Sequence, residues 1–295
     1  MSKQLDIMMD KQGDKYNEIG DYDKMIKMYL TSIEKGSIVA MCKLGMYYYS
    51  IKEYLLMKKY YLMAINNDCD YAMILLGDYC REIEDYEEMK KYYLMVTQHK
   101  NPVDSFIQAA LYNLGYYYEN IKKNNKQMKK YYVKALELGC VKAMLQLGHF
   151  YNSAKEYEEM KKYYLMAVEK GNSKAMGALA VYYYNKKEYD EMIKYYLMAI
   201  KEGNDDAMFN LAMYYAEIDD YDNMEKYYLM AIDKNNVESM TNLGAYYEHI
   251  ATYNKDLYDV AIQKMKKYYL MAVKNGCNES RRRLENYYNS ITNKS

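Results

Sequence analysis

The sequence predicts an all-α fold: a solenoid of eight helix-turn-helix repeats closed by a C-terminal capping helix. Three observations carry this. The tetrapeptide Tyr-Tyr-Leu-Met starts at Tyr60, Tyr92, Tyr163, Tyr195, Tyr227 and Tyr268, with degenerate copies at Met28 and Tyr131, and the usual spacing is 32 residues. A second anchor precedes it by sixteen residues in the usual copy, at Leu44-Gly45, Leu76-Gly77, Leu114-Gly115, Leu147-Gly148, Leu179-Ala180, Leu211-Ala212 and Leu243-Gly244. Two independent anchors with one period define an internal repeat. Both segments also carry apolar residues at a period near 3.6, as in Ala40, Met41, Leu44, Tyr47 and Tyr48, then Tyr54, Met57, Tyr61 and Ala64, which places them on amphipathic helices.

In chain order the repeats span about 5–36, 37–68, 69–100, 105–139, 140–171, 172–203, 204–235 and 236–276, with the capping helix at 277–292, all within one solenoid domain. Anchor arithmetic places six extra residues between repeats three and four, around Gln98 to Asp104 with the lone Pro102, and nine inside the hairpin of repeat eight. The latter insertion, near Thr252 to Ile262, either protrudes as a docking loop or lengthens the helices. Gly36, Gly139, Gly171, Gly203 and Gly276 stand just after the second helix, where a left-handed residue closes a helix end, and Asn235 takes that place once. Acidic residues open the second helix (Glu87, Glu88, Glu158, Glu159, Asp190, Glu191), with Lys91, Lys162 and Lys194 four residues on, matching the helix dipole and i,i+4 pairing. Gly45 and its counterparts, with Ala64 and its own, are expected to let the two helices cross closely, so that Gly148→Leu should destabilise by overpacking. At the ends, Gln12 replaces the leucine anchor and Ser280-Arg281 the Ala-Met pair, followed by Arg282 and Arg283; polar outer faces stop further stacking.

The pattern Ala175, Leu179-Ala180, Tyr183 with Tyr163-Tyr164, Ala167 and Gly171-Asn172 resembles the Sel-1-like repeat family, a relative of the tetratricopeptide repeat. Here the hairpin loop is about four residues shorter than the family's and Tyr stands where Trp is usual. The resemblance covers nearly the whole chain. It implies a right-handed α/α superhelix whose first helices line a concave groove, and an adaptor role.

Composition narrows the function. Lys plus Arg and Asp plus Glu are 41 each, so no net field draws the chain to nucleic acid or an anionic membrane. The five cysteines are odd in number and far apart in sequence, without zinc or redox-dithiol spacing, which fits a reducing compartment. Met1 to Asp10 lacks the apolar core of a signal peptide, and no uncharged apolar run reaches the roughly 18 residues of a membrane helix, so a soluble cytoplasmic protein is expected. His99, His149 and His249 lie in different repeats without ligand neighbours, no phosphate loop or nucleophile elbow occurs, and the acids follow the helical register; no metal, cofactor or catalytic residue is expected. The 26 methionines and 43 tyrosines recur at fixed repeat positions and read as packing. The Lys-, Asn-, Ile- and Tyr-rich style resembles proteins of AT-rich genomes such as those of giant viruses and some protists.

Scaffold positions are those on which the copies agree, so a partner surface should lie where they differ. With the groove geometry that the resemblance implies, these are the positions two before, two after and five after the leucine anchor: Tyr112, Tyr116, Glu119, Leu145, His149, Asn152, Val181, Tyr184, Phe209 and Met213. A mostly apolar and aromatic strip of this kind suits an extended peptide or a helix. The expected function is a non-catalytic protein-interaction scaffold. The alternative is an RNA-binding repeat protein using lysine ladders (Lys58-Lys59, Lys90-Lys91, Lys129-Lys130, Lys161-Lys162, Lys266-Lys267) beside tyrosines, although Ile193 and Glu225 interrupt one ladder.

Overall fold

The computed structural model describes residues 2–99 and 103–292, with the side chains of 9–99 and 103–290. Among these residues there are seventeen α-helices and no strand, forming two compact units, Met1–Leu147 and Gly148–Ser295. The first unit pairs α1 (Ser2–Glu18) with α2 (Tyr22–Glu34), α3 (Ile38–Ser50) with α4 (Tyr54–Ile65), α5 (Asp70–Glu82) with α6 (Tyr86–Gln98), and α7 (Asp104–Asn120) with α8 (Asn125–Glu137). The division falls inside α9 (Val141–Ser153). The second unit holds α10 (Tyr157–Glu169), the hairpins α11 (Ser173–Asn185) with α12 (Tyr189–Lys201), α13 (Asp205–Glu217) with α14 (Tyr221–Ile232), α15 (Val237–Tyr253) with α16 (Tyr258–Lys274), and α17 (Asn278–Thr292) on α16. Each unit is thus a succession of antiparallel hairpins, as in a helical-repeat solenoid. Of the six-residue insertion around Gln98 to Asp104, residues 100–102 lie outside the described residues, while α7 opens at Asp104 and is 17 residues long, so the extra length also extends that helix at its start.

Local chemistry sets the helix ends. Asp21, Ser37, Asp85, Asn124, Asn172, Asn204, Asp220 and Asn236 each accept a hydrogen bond from the backbone N–H three residues on, satisfying a donor the helix leaves open. Gly36, Gly139, Gly171, Gly203, Gly276 and Asn235 have positive φ, as expected of helix closure. The tight turn inside the hairpin imposes the same conformation on Lys52, Glu84, Lys155, Lys187 and Asp219. Those side chains give the sequence no marker for it, whereas the first hairpin uses Gly20.

Tyrosine builds the core in three ways. The first tyrosine of the repeated pair stacks almost parallel on a first-helix tyrosine, as in Tyr60 on Tyr48 (centroids 5.5 Å, 6°) and Tyr195 on Tyr183 (5.5 Å, 4°). In α2, α4, α10, α12 and α14 the opening tyrosine clasps one from the following hairpin, as in Tyr54 with Tyr79 (5.3 Å) and Tyr189 with Tyr214 (5.3 Å). The second tyrosine of the pair lies against the anchor glycine. A methyl group on Gly77 would stand 2.7 Å from Cε1 of Tyr93, and one on Gly244 would stand 2.6 Å from Cδ1 and Cε1 of Tyr269. The small residue therefore makes room for an aromatic ring, not for a bare backbone crossing.

One expectation is corrected, and one of two alternatives is decided. The acid–lysine pairs are i,i+3: Lys91 Nζ reaches Glu88 at 3.0 Å, Lys162 reaches Glu159 at 3.3 Å and Lys194 reaches Glu191 at 2.8 Å. Each of these lysines also lies over the face of the following tyrosine, as Lys162 does over Tyr163 at 5.2 Å. The nine-residue insertion lengthens the last hairpin: α15 and α16 have 17 residues each, against 13 in α13 and 12 in α14, with a short 3₁₀ turn at Lys255–Leu257.

The ends are finished by polar pairing. In α1, Gln12 is exposed and Gly13 is covered by the Tyr29 ring, so the first helix keeps the anchor register without its leucine. In α17, Ser280 and Leu284 face inward, while Arg283 bonds Glu279 (2.9 Å) and Glu248 (3.1 Å) and Arg282 bonds Glu279 (2.7 Å). Two of the three arginines are thereby spent on carboxylates.

Candidate functional site

The first-helix face of each unit is where side chains differ between copies, and its geometry starts with the second tyrosine of each pair. That ring passes beside the anchor glycine, so its hydroxyl emerges at the variable positions. Tyr29 donates to Asp14 (2.7 Å), Tyr93 to Asp78 (2.7 Å), Tyr132 to Glu119 (2.6 Å) and Tyr269 to Glu248 (2.6 Å), and Tyr164 pairs with His149 Nδ1 (2.8 Å). In the copy that carries Ala212 in place of the glycine, Tyr228 donates to Met213 Sδ at 2.9 Å and accepts from Asn242 at 3.2 Å.

In the first unit this face opens a cavity of about 750 Å³, bounded by Tyr22, Tyr47, Val39, Met46, Tyr71 and Cys69. Tyr22 and Tyr47 lie 5.3 Å apart at 32° and form one wall. The polar part is an ion pair, Lys43 Nζ to Asp14 at 2.5 Å, with Tyr29 donating to the same carboxylate. Burial pushes the Asp14 carboxyl up, but the bonds from Lys43 and Tyr29 outweigh it and hold the group below the usual carboxylate range. A charge pair among apolar and aromatic lining residues suits a ligand with a hydrophobic body and a polar handle.

The predicted partner residues divide between the units. In the first, Tyr116 is exposed, Tyr112 is half-buried against Tyr132 (5.7 Å) with Lys142 over its ring, Glu119 is engaged by Tyr132, and Leu145 is half-buried. In the second, Val181 is exposed, and Asn152 and Val181 border a small cavity of about 210 Å³ with Tyr157, Tyr182 and Lys186. Tyr184 donates to Glu217 (2.7 Å), Phe209 packs on Tyr228 (6.0 Å), and Met213 accepts from Tyr228. Glu119, His149 and Met213 therefore support a core tyrosine, a duty the sequence did not reveal.

The larger cavity lies among the first repeats, away from the variable positions of the middle of the array. The same offsets applied to Leu44 give Cys42, Met46 and Tyr49, of which the first two line it. The lysines of the proposed ladders are distributed over ring faces: Lys59 over Tyr60 (5.3 Å), Lys130 over Tyr131 (5.8 Å), Lys267 over Tyr268 (5.1 Å), and Lys58 over Tyr79 of the next hairpin (5.3 Å). Such contacts are worth about 0.5–1 kcal/mol at exposed sites and leave the rings covered.

The tetratricopeptide repeat family matches residues 141–169 and 205–233, each one helix hairpin. Two of the chain's hairpins thus match the tetratricopeptide repeat. A Sel1 repeat protein from Oxalobacter formigenes is similar over 97% of this chain and 88% of its own, with a TM-score of 0.72 at 15% identity, a likeness of fold. The pilF protein of Pseudomonas aeruginosa is similar over 66% of this chain and 90% of its own, with a TM-score of 0.53 at 20% identity. No curated protein matches the sequence. Among the described residues no helix is long and apolar enough to cross a membrane.

Proposed function

We propose that this repeat protein is a non-catalytic interaction scaffold that takes a peptide or a helix of a partner protein along its first-helix face. The observation that carries this reading is the cavity of about 750 Å³ in the first unit, with aromatic walls and the Asp14–Lys43 pair in its lining. Partly exposed apolar and aromatic side chains at the corresponding offsets (Tyr116, Val181, Phe209 and Met213) extend the same character into other copies. Aromatic anchors in a preformed concavity are the usual source of affinity for short segments. Repetition weighs against catalysis, since a reaction centre needs one unique cluster of polar groups.

The test is capture of proteins by the full chain under nuclease treatment, compared between wild type and two variants. One carries Val39→Asp and Met46→Asp, the other Tyr116→Ala, Tyr184→Ala and Phe209→Ala. A specific protein should be retained by wild type after nuclease and lost from at least one variant of unchanged helicity. Retention by both variants overturns the reading. Capture of RNA that falls steeply with salt would favour a nucleic-acid role instead.

A further inference from the structure

The cysteines, 27 residues apart in sequence, were not expected to meet, yet Cys42 Sγ and Cys69 Sγ lie 3.5 Å from each other. Helix periodicity brings this about. Cys42 stands in α3 two residues before the leucine anchor, and Cys69 is the N-cap of α5, the first helix of the next hairpin. Stacking of successive hairpins sets those two register positions side by side. The eighth copy repeats the geometry with Thr241 Oγ1 and Cys277 Sγ at 3.4 Å, so only the Cys42–Cys69 junction pairs two thiols there.

We propose that Cys42 and Cys69 are a redox dithiol that closes to a reversible disulfide, stapling α3 to the start of α5 along the wall of the first unit's cavity. Both residues line that cavity, which gives a small oxidant a way in. Cys69 is the attacking group. The hydrogen bond from Cys42 is the largest influence lowering its thiol; burial opposes, the Ala72 and Tyr71 amides assist, and the outcome is about 6. Cys42 is raised well above the ordinary thiol range by its bond to Cys69 and by burial, and it keeps its proton.

With a peroxide as oxidant the chemistry balances. The Cys69 thiolate attacks one peroxide oxygen, the O–O bond breaks, and the released hydroxide takes a proton to leave as water, giving a sulfenic acid at Cys69. The Cys42 sulfur then attacks the Cys69 sulfur, the S–O bond breaks, and the hydroxyl leaves with the Cys42 proton as a second water. Two electrons pass from the two thiols to the peroxide, and a dithiol reductant returns them. Closing from 3.5 Å to a bond of about 2.05 Å asks for side-chain rotation of the order of 1.5 Å in separation.

The experiment treats the full chain with hydrogen peroxide and compares wild type with Cys42→Ala and Cys69→Ser. In wild type, titratable thiols should fall from five to three, and a digest should join the peptides carrying Cys42 and Cys69. The thermal midpoint should rise by several degrees, and dithiothreitol should reverse all three changes. In Cys42→Ala, Cys69 loses the hydrogen bond that lowers its thiol and should oxidise more slowly, but the sulfenic acid that does form has no resolving thiol and should be trapped by dimedone. Cys277, whose neighbour is Thr241, is the internal control and should remain a thiol in the same digest. Loss of Cys277 at the rate of Cys69, an intermolecular dimer as the main product, or wild type retaining five thiols would each overturn the proposal. The readouts on wild type stand even if a variant folds poorly.

Discussion

The glycine of the Leu-Gly anchor sits under a tyrosine ring, and Gly77→Ala tests that arrangement. The added methyl carbon would stand 2.7, 3.0 and 3.2 Å from Cε1, Cδ1 and Cζ of Tyr93. Carbon atoms in contact prefer about 3.5–4.0 Å, so the ring must retreat by about 1 Å. Tyr93 is fully buried, and its hydroxyl is held by Asp78 at 2.7 Å, so a retreat presses on the core and stretches that bond. Overpacking costs roughly 1–3 kcal/mol and the weakened hydrogen bond about 1, against a gain of about 0.5–1 from replacing a mid-helix glycine. The net expectation is a loss of about 1–3 kcal/mol, read as a lower urea midpoint at constant slope. In a Tyr93→Leu background the clashing edge is gone, and Gly77→Ala should become neutral or stabilising. Gly177, with open space where its methyl would lie, is the control: Gly177→Ala should gain about 0.5–1 kcal/mol. If Gly77→Ala costs the same with and without the Tyr93 ring, the tyrosine seat is not the reason for the glycine.

Two further expectations concern features the repeat motif conceals. Lys187 holds φ 61° in the hairpin turn, so Lys187→Gly should raise stability by up to about 1 kcal/mol in chemical denaturation; a loss would mean that its side chain, not its backbone, sets the turn. The leucine of Tyr-Tyr-Leu-Met points outward, with Leu197 at 43% exposure beside buried Tyr196. Leu197→Gln should therefore stay within about 0.5 kcal/mol of wild type, while Tyr196→Ala should cost about 3–5. Equal costs for the two would show that the outward face is covered in solution.

The sequence by itself determined the helices, their pairing into hairpins and the places of the insertions. The reason is physical: a 3.6-residue apolar period and a 32-residue repeat are one-dimensional signals, and each hairpin meets mainly its neighbours. It also marked the offsets at which copies differ, though not which of those side chains are free. Only the tertiary structure decided that Glu119 and His149 are hydrogen-bonded to buried tyrosines, because the tyrosine comes from the other helix of the hairpin at a spacing set by packing. The lysine ladders likewise became ring covers once tyrosine faces stood beside them. The cysteines show the limit most clearly. Cys42 and Cys69 are 27 residues apart along the chain, and stacking of successive hairpins, which no local propensity encodes, brings their sulfurs to 3.5 Å.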